Sequence, residues 1–288
     1  MHYLGQMGSE SWTRTWATFA GHRLGDLRRL TMPHEEAAVR RNLIYFDLAS
    51  GANPSATDQL VKSVFRAFGL FVVEFLMTLP KGDDRVSEAW DWQGLTHLET
   101  LNRGRRGWIL VGAHTGNWEQ LGAIGRRVNR RIVAPVGTQF SPVISPLVKR
   151  IKLRRGIESL PVDRSPRPLL RALDRGHLVA LPLDGGSFIQ GRTTTLLDKP
   201  VRLASGAAHL SKLSGSPILP VFSRRTSLMK QIVRIIEPIW PDQVEQETGK
   251  RPVDIITDHL MDQLSAHLTD SAGQWCIFRS LVPGQGSI

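Results

Sequence analysis

Cysteine is nearly missing from this chain of 288 residues, in which Cys276 is the only one. A lone cysteine forms no internal disulfide and, without other thiols, builds no zinc–thiolate site, so disulfide-stapled extracellular domains are excluded. The first 16 residues also lack the basic and apolar regions of a secretory signal peptide. We therefore expect a protein of a reducing, cytoplasmic compartment.

Long apolar runs are equally scarce. The longest nearly uncharged run, residues 68–80, has 13 residues and is interrupted by Glu74, whereas a membrane-spanning helix needs about 20 apolar residues. The sequence therefore predicts no transmembrane segment. A core helix is the favoured interpretation of this run, and a helix that lies against a membrane surface is the alternative.

Acidic residues are outnumbered by basic ones, and one region accounts for the whole excess of positive charge. The whole chain has 37 Lys or Arg and 26 Asp or Glu, a net charge of +11, while residues 101–175 alone have 16 basic and 4 acidic side chains. Such an accumulation favours an anionic partner. Lipid headgroups, an acidic carrier protein and nucleic acid all carry the required charge, but no nucleic-acid recognition module is present, so we expect no nucleic-acid partner.

Several catalytic signatures are absent. Residues 185–189 come nearest to the Gly-x-Ser-x-Gly motif of serine hydrolases, but the last glycine is missing. Ala38 stands where a zinc protease motif starting at His34 would need its second histidine. No phosphate-binding loop and no dinucleotide fingerprint occurs either. We therefore expect neither a metal nor a cofactor.

The order of apolar segments predicts the fold class. The first hundred residues show mostly helical spacing, and short apolar segments that alternate with helical patterns follow them. This pattern is typical of an α/β protein whose mostly parallel β-sheet is flanked by helices on both faces. We predict a helical N-terminal part, residues 1–100, and an α/β catalytic part, residues 101–288. The predicted strands are residues 108–113, 132–136, 157–162, 178–183, 218–222 and 232–236.

The pair His114 and Glu119 follows the first of these predicted strands, with Gly116 between them. Five residues apart on a helix, the two side chains would point about 140° apart, so they meet only if His114 lies on the strand-to-helix turn. A carboxylate on one imidazole nitrogen leaves the other nitrogen free to accept a proton from a hydroxyl. The pair indicates a general base with its orienting group, although a hydrogen-bonded structural histidine shows the same spacing.

Four blocks of the sequence carry a resemblance to a known family. The first block is VGAHTGNWEQLG, residues 111–122, which contains the His-x4-Glu pair with Gly-Asn-Trp inside it. The other blocks are residues 162–184, 199–225 and 274–279, of which the last is the closing Gln-Trp motif. In this order, the four blocks resemble the bacterial lysophospholipid acyltransferase superfamily, in its branch of lipid A late acyltransferases and phosphatidylinositol mannoside acyltransferases. The resemblance extends over residues 64–279.

This resemblance implies a glycerol-3-phosphate acyltransferase-like fold and transfer of a fatty acyl chain from a thioester to a lipid or glycolipid hydroxyl. The donor would be acyl carrier protein or CoA. It also implies that His114 is the general base and Glu119 its orienting carboxylate. The residues implied in substrate binding are Asn117, Arg154, Arg155, Arg164, Asp184 and Arg202. Simpler roles stay open, namely a turn or cap for Asn117 and Asp184 and a solvated basic face for the arginines.

Two positions depart from the pattern of the branch. Gly185 follows Asp184 where glutamine is common, and residues 196–198 stand where the branch has aromatic side chains. The acceptor and the acyl pocket are therefore left open. We expect a peripheral enzyme on the anionic cytoplasmic face of the bacterial inner membrane, and the alternative is a nonenzymatic lipid-binding protein on the same scaffold.

Overall fold

Three helices form the N-terminal part of the computed structural model, which describes residues 2–77, 88, 90–136, 145–161, 165–185, 191–244 and 249–284. The helices are α1 (His2–Thr31), α2 (Pro33–Tyr45) and α3 (Pro54–Met77). Helices α1 and α3 pack closely because Gly69 has no side chain. A Cβ atom at this position would collide with the Gly21 carbonyl oxygen.

A seven-stranded sheet forms the centre of the rest of the molecule, and a separate hairpin adds two further strands. The strands are β1 (Asp91–Gln93), β2 (Ile109–Gly112), β3 (Ile132–Val136), β4 (Ile157–Pro161), β5 (Leu178–Pro182), β6 (Arg192–Leu196), β7 (Lys199–Leu203), β8 (Ile218–Ser227) and β9 (Lys230–Ile235). The strand order in the large sheet is β1-β9-β8-β2-β5-β3-β4. Strands β8 and β9 form an antiparallel hairpin, and the other neighbouring pairs of this sheet are parallel. The separate hairpin consists of β6 and β7.

Helices cover both faces of this sheet, because alternate residues of the central strands point to opposite sides. The helices of this part are α4 (Leu95–Asn102), α5 (Ala123–Arg127), α6 (Ser145–Arg154), α7 (Arg167–Asp174), α8 (Gly206–Ser214) and α9 (Pro252–Ser271), with 3₁₀ turns at Trp118–Gly122 and Ala272–Gln274. Ile109 and Val111 belong to one hydrophobic core with residues of α8 and α9, whereas Leu110 belongs to a second core with residues of α4 and α5.

The predicted fold class is confirmed, and the sequence missed two features. Strand β1 lies within the part predicted to be helical, and the β6–β7 hairpin was not predicted. The division of the chain at residue 100 stays a prediction. Among the helices that the structure describes, none is both long enough and apolar enough to cross a bilayer. Residues 68–77 of the apolar run form the end of α3. Residues 78–80 of the run lie outside the described residues.

Candidate active site

The register of two neighbouring parallel strands brings His114 and Asp184 together. Gly112, the last residue of β2, lies beside Pro182, the last residue of β5. His114 and Asp184 each follow two residues later, so both lie at the carboxyl edge of the sheet, where ligands bind in such folds. His114 Nδ1 is 2.8 Å from Asp184 Oδ1, and the His114 backbone N–H donates to Asp184 Oδ2 at 2.8 Å.

The Asp184 carboxylate is completely buried and remains ionised. Burial alone would raise its pKa, but His114 and the indole N–H of Trp275, which donates to Oδ2 at 2.9 Å, outweigh burial and hold the pKa below its usual range. An ionised carboxylate only accepts hydrogen bonds, so the proton between the two side chains belongs to His114 Nδ1. Asp184 therefore selects the imidazole tautomer whose Nε2 is unprotonated.

The His114 ring borders an open groove, with 23% of its side chain exposed. Burial opposes protonation of this ring, but the charge and the hydrogen bond of Asp184 outweigh burial and raise the pKa of His114. Nε2 has no hydrogen-bond partner among the described residues. The ring therefore combines raised basicity with a free lone pair, as a general base requires.

Glu119 takes a different partner from the one that its spacing predicts. The 3₁₀ turn that begins at Trp118 directs the Glu119 carboxylate to Lys152, and the Oε1 to Nζ distance is 2.7 Å. In the described structure, the carboxylate on His114 Nδ1 is Asp184 and not Glu119. The charge of Glu119 still contributes to the raised pKa of His114.

Residues 114–117 form a tight turn, named the His114 turn below, that the neighbouring hairpin holds in place. Gly116 has a φ of +59°, and a Cβ atom there would lie 2.8 Å from the Ser223 carbonyl oxygen, so a side chain is excluded. Thr115 Oγ1 donates to the Ser223 carbonyl at 2.9 Å, and Ser223 Oγ donates to the Thr115 carbonyl at 3.0 Å. The turn is therefore held through its backbone as well as its side chains.

Asn117 faces the protein interior and does not border the groove. Its side chain is fully buried, its Nδ2 donates to Glu74 Oε2 at 2.8 Å, and its backbone N–H donates to Gln231 Oε1 at 2.8 Å. This placement does not fit the expected direct contact with substrate, because the amide donor is already engaged. The turn role that the sequence left open fits the structure instead.

The four arginines expected at the site lie in different surroundings. Arg155 is buried, with its guanidinium 4.5 Å from the centre of the Phe75 ring, and Arg154 is exposed at the end of α6. Arg202 borders the groove and donates to the Gly191 carbonyl at 2.8 Å. Arg164 lies outside the described residues.

The groove beside His114 has a volume of about 2370 Å³ and a largely apolar wall. Part of this wall is the end of α3, and other parts come from the sheet edge, the β6–β7 hairpin, α6 to α8, the 3₁₀ turn at Trp118–Gly122 and residues 276–284. Representative lining side chains are Phe71, Phe75, Ile151, Leu169, Val201 and Leu210. Glu119 and Lys152 also border the groove. Such a space fits an extended hydrocarbon chain better than a compact polar metabolite.

Sequence reasoning gave no role to two residues that contact Asp184. Trp275 donates to the carboxylate, and Arg279 Nη2 donates to the Asp184 carbonyl at 3.1 Å. Both belong to the closing block, residues 274–279, for which the resemblance implies no role for individual residues. In the described part of the chain, no cluster of three or more His, Cys, Asp or Glu side chains could hold a metal ion.

Comparison with known proteins places this arrangement in a family. The sequence model of the bacterial lipid A biosynthesis acyltransferase family matches residues 7–281. A lipid A biosynthesis palmitoleoyltransferase of Escherichia coli (strain K12) and a lipid A biosynthesis acyltransferase of Shigella flexneri are each 26% identical over 209 residues. Each alignment covers 70% of this chain and 66% of the relative, slightly less than two thirds of the relatives' own length. Because the family match spans nearly the whole chain, this protein belongs to the bacterial lipid A biosynthesis acyltransferase family.

Proposed function

We propose that this protein transfers a fatty acyl chain from a thioester to a hydroxyl of a lipid A-type glycolipid, with His114 as the general base. The observation that carries the proposal is the His114–Asp184 pair, whose imidazole borders a large, mostly apolar groove. Membership of the family supports the reaction class, and the names of the two relatives support the acceptor class.

In the proposed reaction, His114 alone transfers the proton from the acceptor hydroxyl to the leaving thiolate. His114 Nε2 takes the proton of the acceptor hydroxyl while its oxygen attacks the thioester carbonyl, and Asp184 stabilises the imidazolium that forms. The C–S bond then breaks as the tetrahedral intermediate collapses, and the imidazolium returns the proton to the thiolate. The products are an ester and a free thiol, and His114 is again neutral.

The groove provides a place for the acyl chain of the donor. Phe71, Val72 and Phe75 of α3 form an apolar wall beside His114. Apolar surface removed from water contributes about 0.8 kcal/mol for each buried CH₂ group, so a fatty acyl chain can supply much of the binding energy. The thioester carbon at the end of that chain would then lie near the base.

Basic side chains near the groove suit the phosphate groups that acyl carrier protein and CoA both carry. Arg202 and Arg279 border the groove, and Lys149, Arg150 and Arg154 are exposed on α6. These side chains also suit the phosphates of an anionic lipid acceptor. A single assay that compares the thioesters of acyl carrier protein and of CoA therefore identifies which of the two is the acyl donor.

Helix α1 presents an apolar stripe that suits peripheral binding to a membrane. Trp12, Trp16 and Phe19 follow at helical spacing and are 69%, 61% and 53% exposed. Aromatic side chains of this kind insert at the lipid headgroup level, and basic residues add attraction to anionic lipids. We assign the protein to the cytoplasmic face of the bacterial inner membrane, where a glycolipid precursor and a cytoplasmic thioester can meet.

The transfer reaction is tested with purified protein, acyl carrier protein or CoA thioesters and either a lipid A precursor or a lysophospholipid. Mass spectrometry should detect an added ester on the glycolipid. His114→Ala should lower turnover by at least about 10²-fold, because general-base catalysis typically contributes that much. His177→Ala is the matched control, since His177 precedes β5 at the opposite edge of the sheet. Lipid binding without product from any donor would instead identify a nonenzymatic lipid-binding protein.

Membrane binding is tested by sedimentation with vesicles of phosphatidylglycerol or of phosphatidylcholine. The anionic vesicles should capture the protein, and Trp12→Ser with Trp16→Ser should reduce the bound fraction several-fold. Ile44→Ser is the control, because Ile44 is an exposed apolar residue of α2 outside the stripe. Equal binding by all three proteins would contradict the role of α1.

A further inference from the structure

Glu74 is a completely buried carboxylate near the end of the largely apolar helix α3. It pairs with Arg225 of β8, whose side chain is 4% exposed, through Nε to Oε1 at 2.9 Å and Nη2 to Oε2 at 2.8 Å. The backbone N–H of Met229 also donates to Oε1 at 2.8 Å. This bidentate pair joins the helical N-terminal part to the sheet hairpin.

The same pair contacts two consecutive residues of the His114 turn. Arg225 Nη2 donates to the Gly116 carbonyl at 2.9 Å, and Asn117 Nδ2 donates to Glu74 Oε2 at 2.8 Å. The contacted residues are two and three positions after His114, and Gly116 is the one with a left-handed conformation. The ion pair is therefore bonded to the segment that sets the direction of the catalytic ring.

Stability is a poor explanation for such a pair. Two charges lose their hydration when they are buried, and replacement of a buried ion pair by apolar residues of similar size is often neutral or stabilising. What an ion pair with fixed bidentate geometry supplies is one defined arrangement of the groups that it contacts. Glu74 and Arg225 are also not among the described residues that line the groove.

We propose that Glu74 and Arg225 are positioning residues, whose buried ion pair holds the backbone of the His114 turn so that the imidazole meets Asp184. Neither side chain contacts substrate. The inference deepens the proposed acyl transfer and relies on it only for its kinetic consequences. Its structural consequence, the contact between His114 and Asp184, can be measured without any turnover.

Helix α3, which carries Glu74, also forms a wall of the groove, so the ion pair fixes this wall as well as the His114 turn. Phe71 stacks on Trp118 with ring centres 3.9 Å apart, and Trp118 meets the His114 ring edge-on at 5.2 Å. Glu74 lies between Phe71 and Phe75, which both line the groove. The ion pair therefore holds the wall for the acyl chain and the turn that carries the base in one fixed relation.

The double substitution Glu74→Leu with Arg225→Met tests the proposal, because it removes both charges together and so leaves no buried charge without its partner. Asp26→Asn with Arg66→Met is the matched control. Arg66 also belongs to α3 and binds Asp26 in a bidentate pair at 2.8 and 3.0 Å, but this pair does not contact the His114 turn.

We expect the Glu74/Arg225 double variant to fold and to lose about tenfold to a hundredfold in kcat, with a much smaller change in KM, since small displacements of catalytic groups have large effects on rate. The control variant should keep its kcat. Circular dichroism and thermal unfolding report whether each variant is folded. A folded double variant with the kcat of the wild type would overturn the proposal.

NMR titration of the His114 ring gives a readout that does not depend on acyl transfer. The charged groups around the ring are Asp184, Glu119 and Arg279, and all three stay in the variant. The titration midpoint of His114 should fall by roughly half a pH unit or more as the ring moves from Asp184. If the wild type transfers no acyl group, the proposed function is wrong. The comparison of the His114 midpoint in the wild type and in the double variant still tests whether Glu74 and Arg225 position the ring.

A second variant covers the case in which the double variant does not fold. Arg225→Lys keeps the buried charge, but an ammonium group cannot reproduce the guanidinium fork that reaches Glu74 and the Gly116 carbonyl together. In Arg225→Lys, kcat and the titration midpoint of His114 should both fall, but by less than in the double variant. Wild-type values for both quantities in Arg225→Lys would overturn the proposal.

Discussion

Asp184 and Glu119 are the two carboxylates whose charges raise the pKa of His114, and they differ in burial and in partners. Asp184 is fully buried and accepts hydrogen bonds from His114 and Trp275. The Glu119 side chain is 17% exposed and pairs with Lys152. The comparison shows that a carboxylate five residues from a histidine in sequence need not be the one that orients it.

The difference arises from the directions in which the chain leaves the sheet. Asp184 follows the strand beside β2, so register places it opposite His114. Glu119 lies past the turn, on a 3₁₀ segment from which its carboxylate reaches Lys152 of α6. Asp184 therefore fixes the imidazole tautomer, and Glu119 forms an ion pair with Lys152 at the border of the groove.

The largest effect is expected for Asp184→Asn. An amide N–H₂ in the place of Oδ1 would donate to His114 Nδ1, so the proton would move to Nε2 and the base would lose its free lone pair. We expect kcat to fall by about 10³- to 10⁴-fold, as in other histidine–aspartate pairs. Steady-state kinetics measure the loss. Asp174→Asn is the control, because Asp174 forms an exposed ion pair with Arg106, and an equal loss there would contradict the assignment.

A smaller and coupled effect is expected at the Glu119–Lys152 pair. Glu119→Gln and Lys152→Met should each lower kcat/KM by about tenfold to a hundredfold, and the double variant should lose much less than the product of the two, because contacting residues couple. Asp184→Asn should combine with Lys152→Met almost multiplicatively. If Glu119→Gln instead equals Asp184→Asn and is independent of Lys152, the two carboxylates share one role.

A still smaller effect is expected when Asp184 loses one hydrogen-bond donor. Trp275→Phe removes the indole N–H that binds Oδ2 and keeps most of the apolar ring, so kcat should fall by about tenfold. Trp108→Phe is the matched control. Trp108 is as deeply buried as Trp275, and its Nε1 has no hydrogen-bond partner among the described residues. A larger kinetic loss in Trp108→Phe would show that ring volume matters more than the donor.

The smallest effect concerns the pH dependence of the wild type. Because Asp184 raises the pKa of His114, protonation should begin to inhibit at a higher pH than for an ordinary histidine with a pKa of about 6.5. The rate should therefore fall as pH is lowered through a midpoint above about 6.5, since protonated Nε2 accepts no proton. A profile of kcat/KM against pH measures this midpoint, and a value below that of free histidine would contradict the pairing with Asp184.

The sequence predicted the central strands well because these strands are buried on both faces. The predicted strand at residues 132–136 coincides with β3, and the segments at 108–113 and 178–183 contain β2 and β5. The β6–β7 hairpin was missed because its residues alternate between exposed and buried, with threonine and charged side chains in between. Strand β1 has only three residues, too few to show a periodic pattern.

The position of the candidate site at the ends of strands was predictable from the sequence, but the carboxylate that pairs with His114 was not. His114 and Asp184 were both placed at the ends of strands, yet the order of the strands, which makes β2 and β5 neighbours, is not visible in the spacing of residues. Glu74 and Arg225 are 151 residues apart, and no local pattern links them. In the sequence, Glu74 is visible only as a charge that interrupts an apolar run. The structure shows that this buried charge is paired with Arg225.

Residues 274–279 close over the site, because Cys276 N–H donates to the His114 carbonyl at 2.9 Å and Trp275 donates to Asp184. Asp184 and Trp275 are 91 residues apart in the chain. A nascent polypeptide emerges from the ribosome in sequence order, so the histidine and its aspartate exist long before the segment that completes them. The full set of hydrogen bonds to Asp184 is therefore complete only after translation has passed this segment.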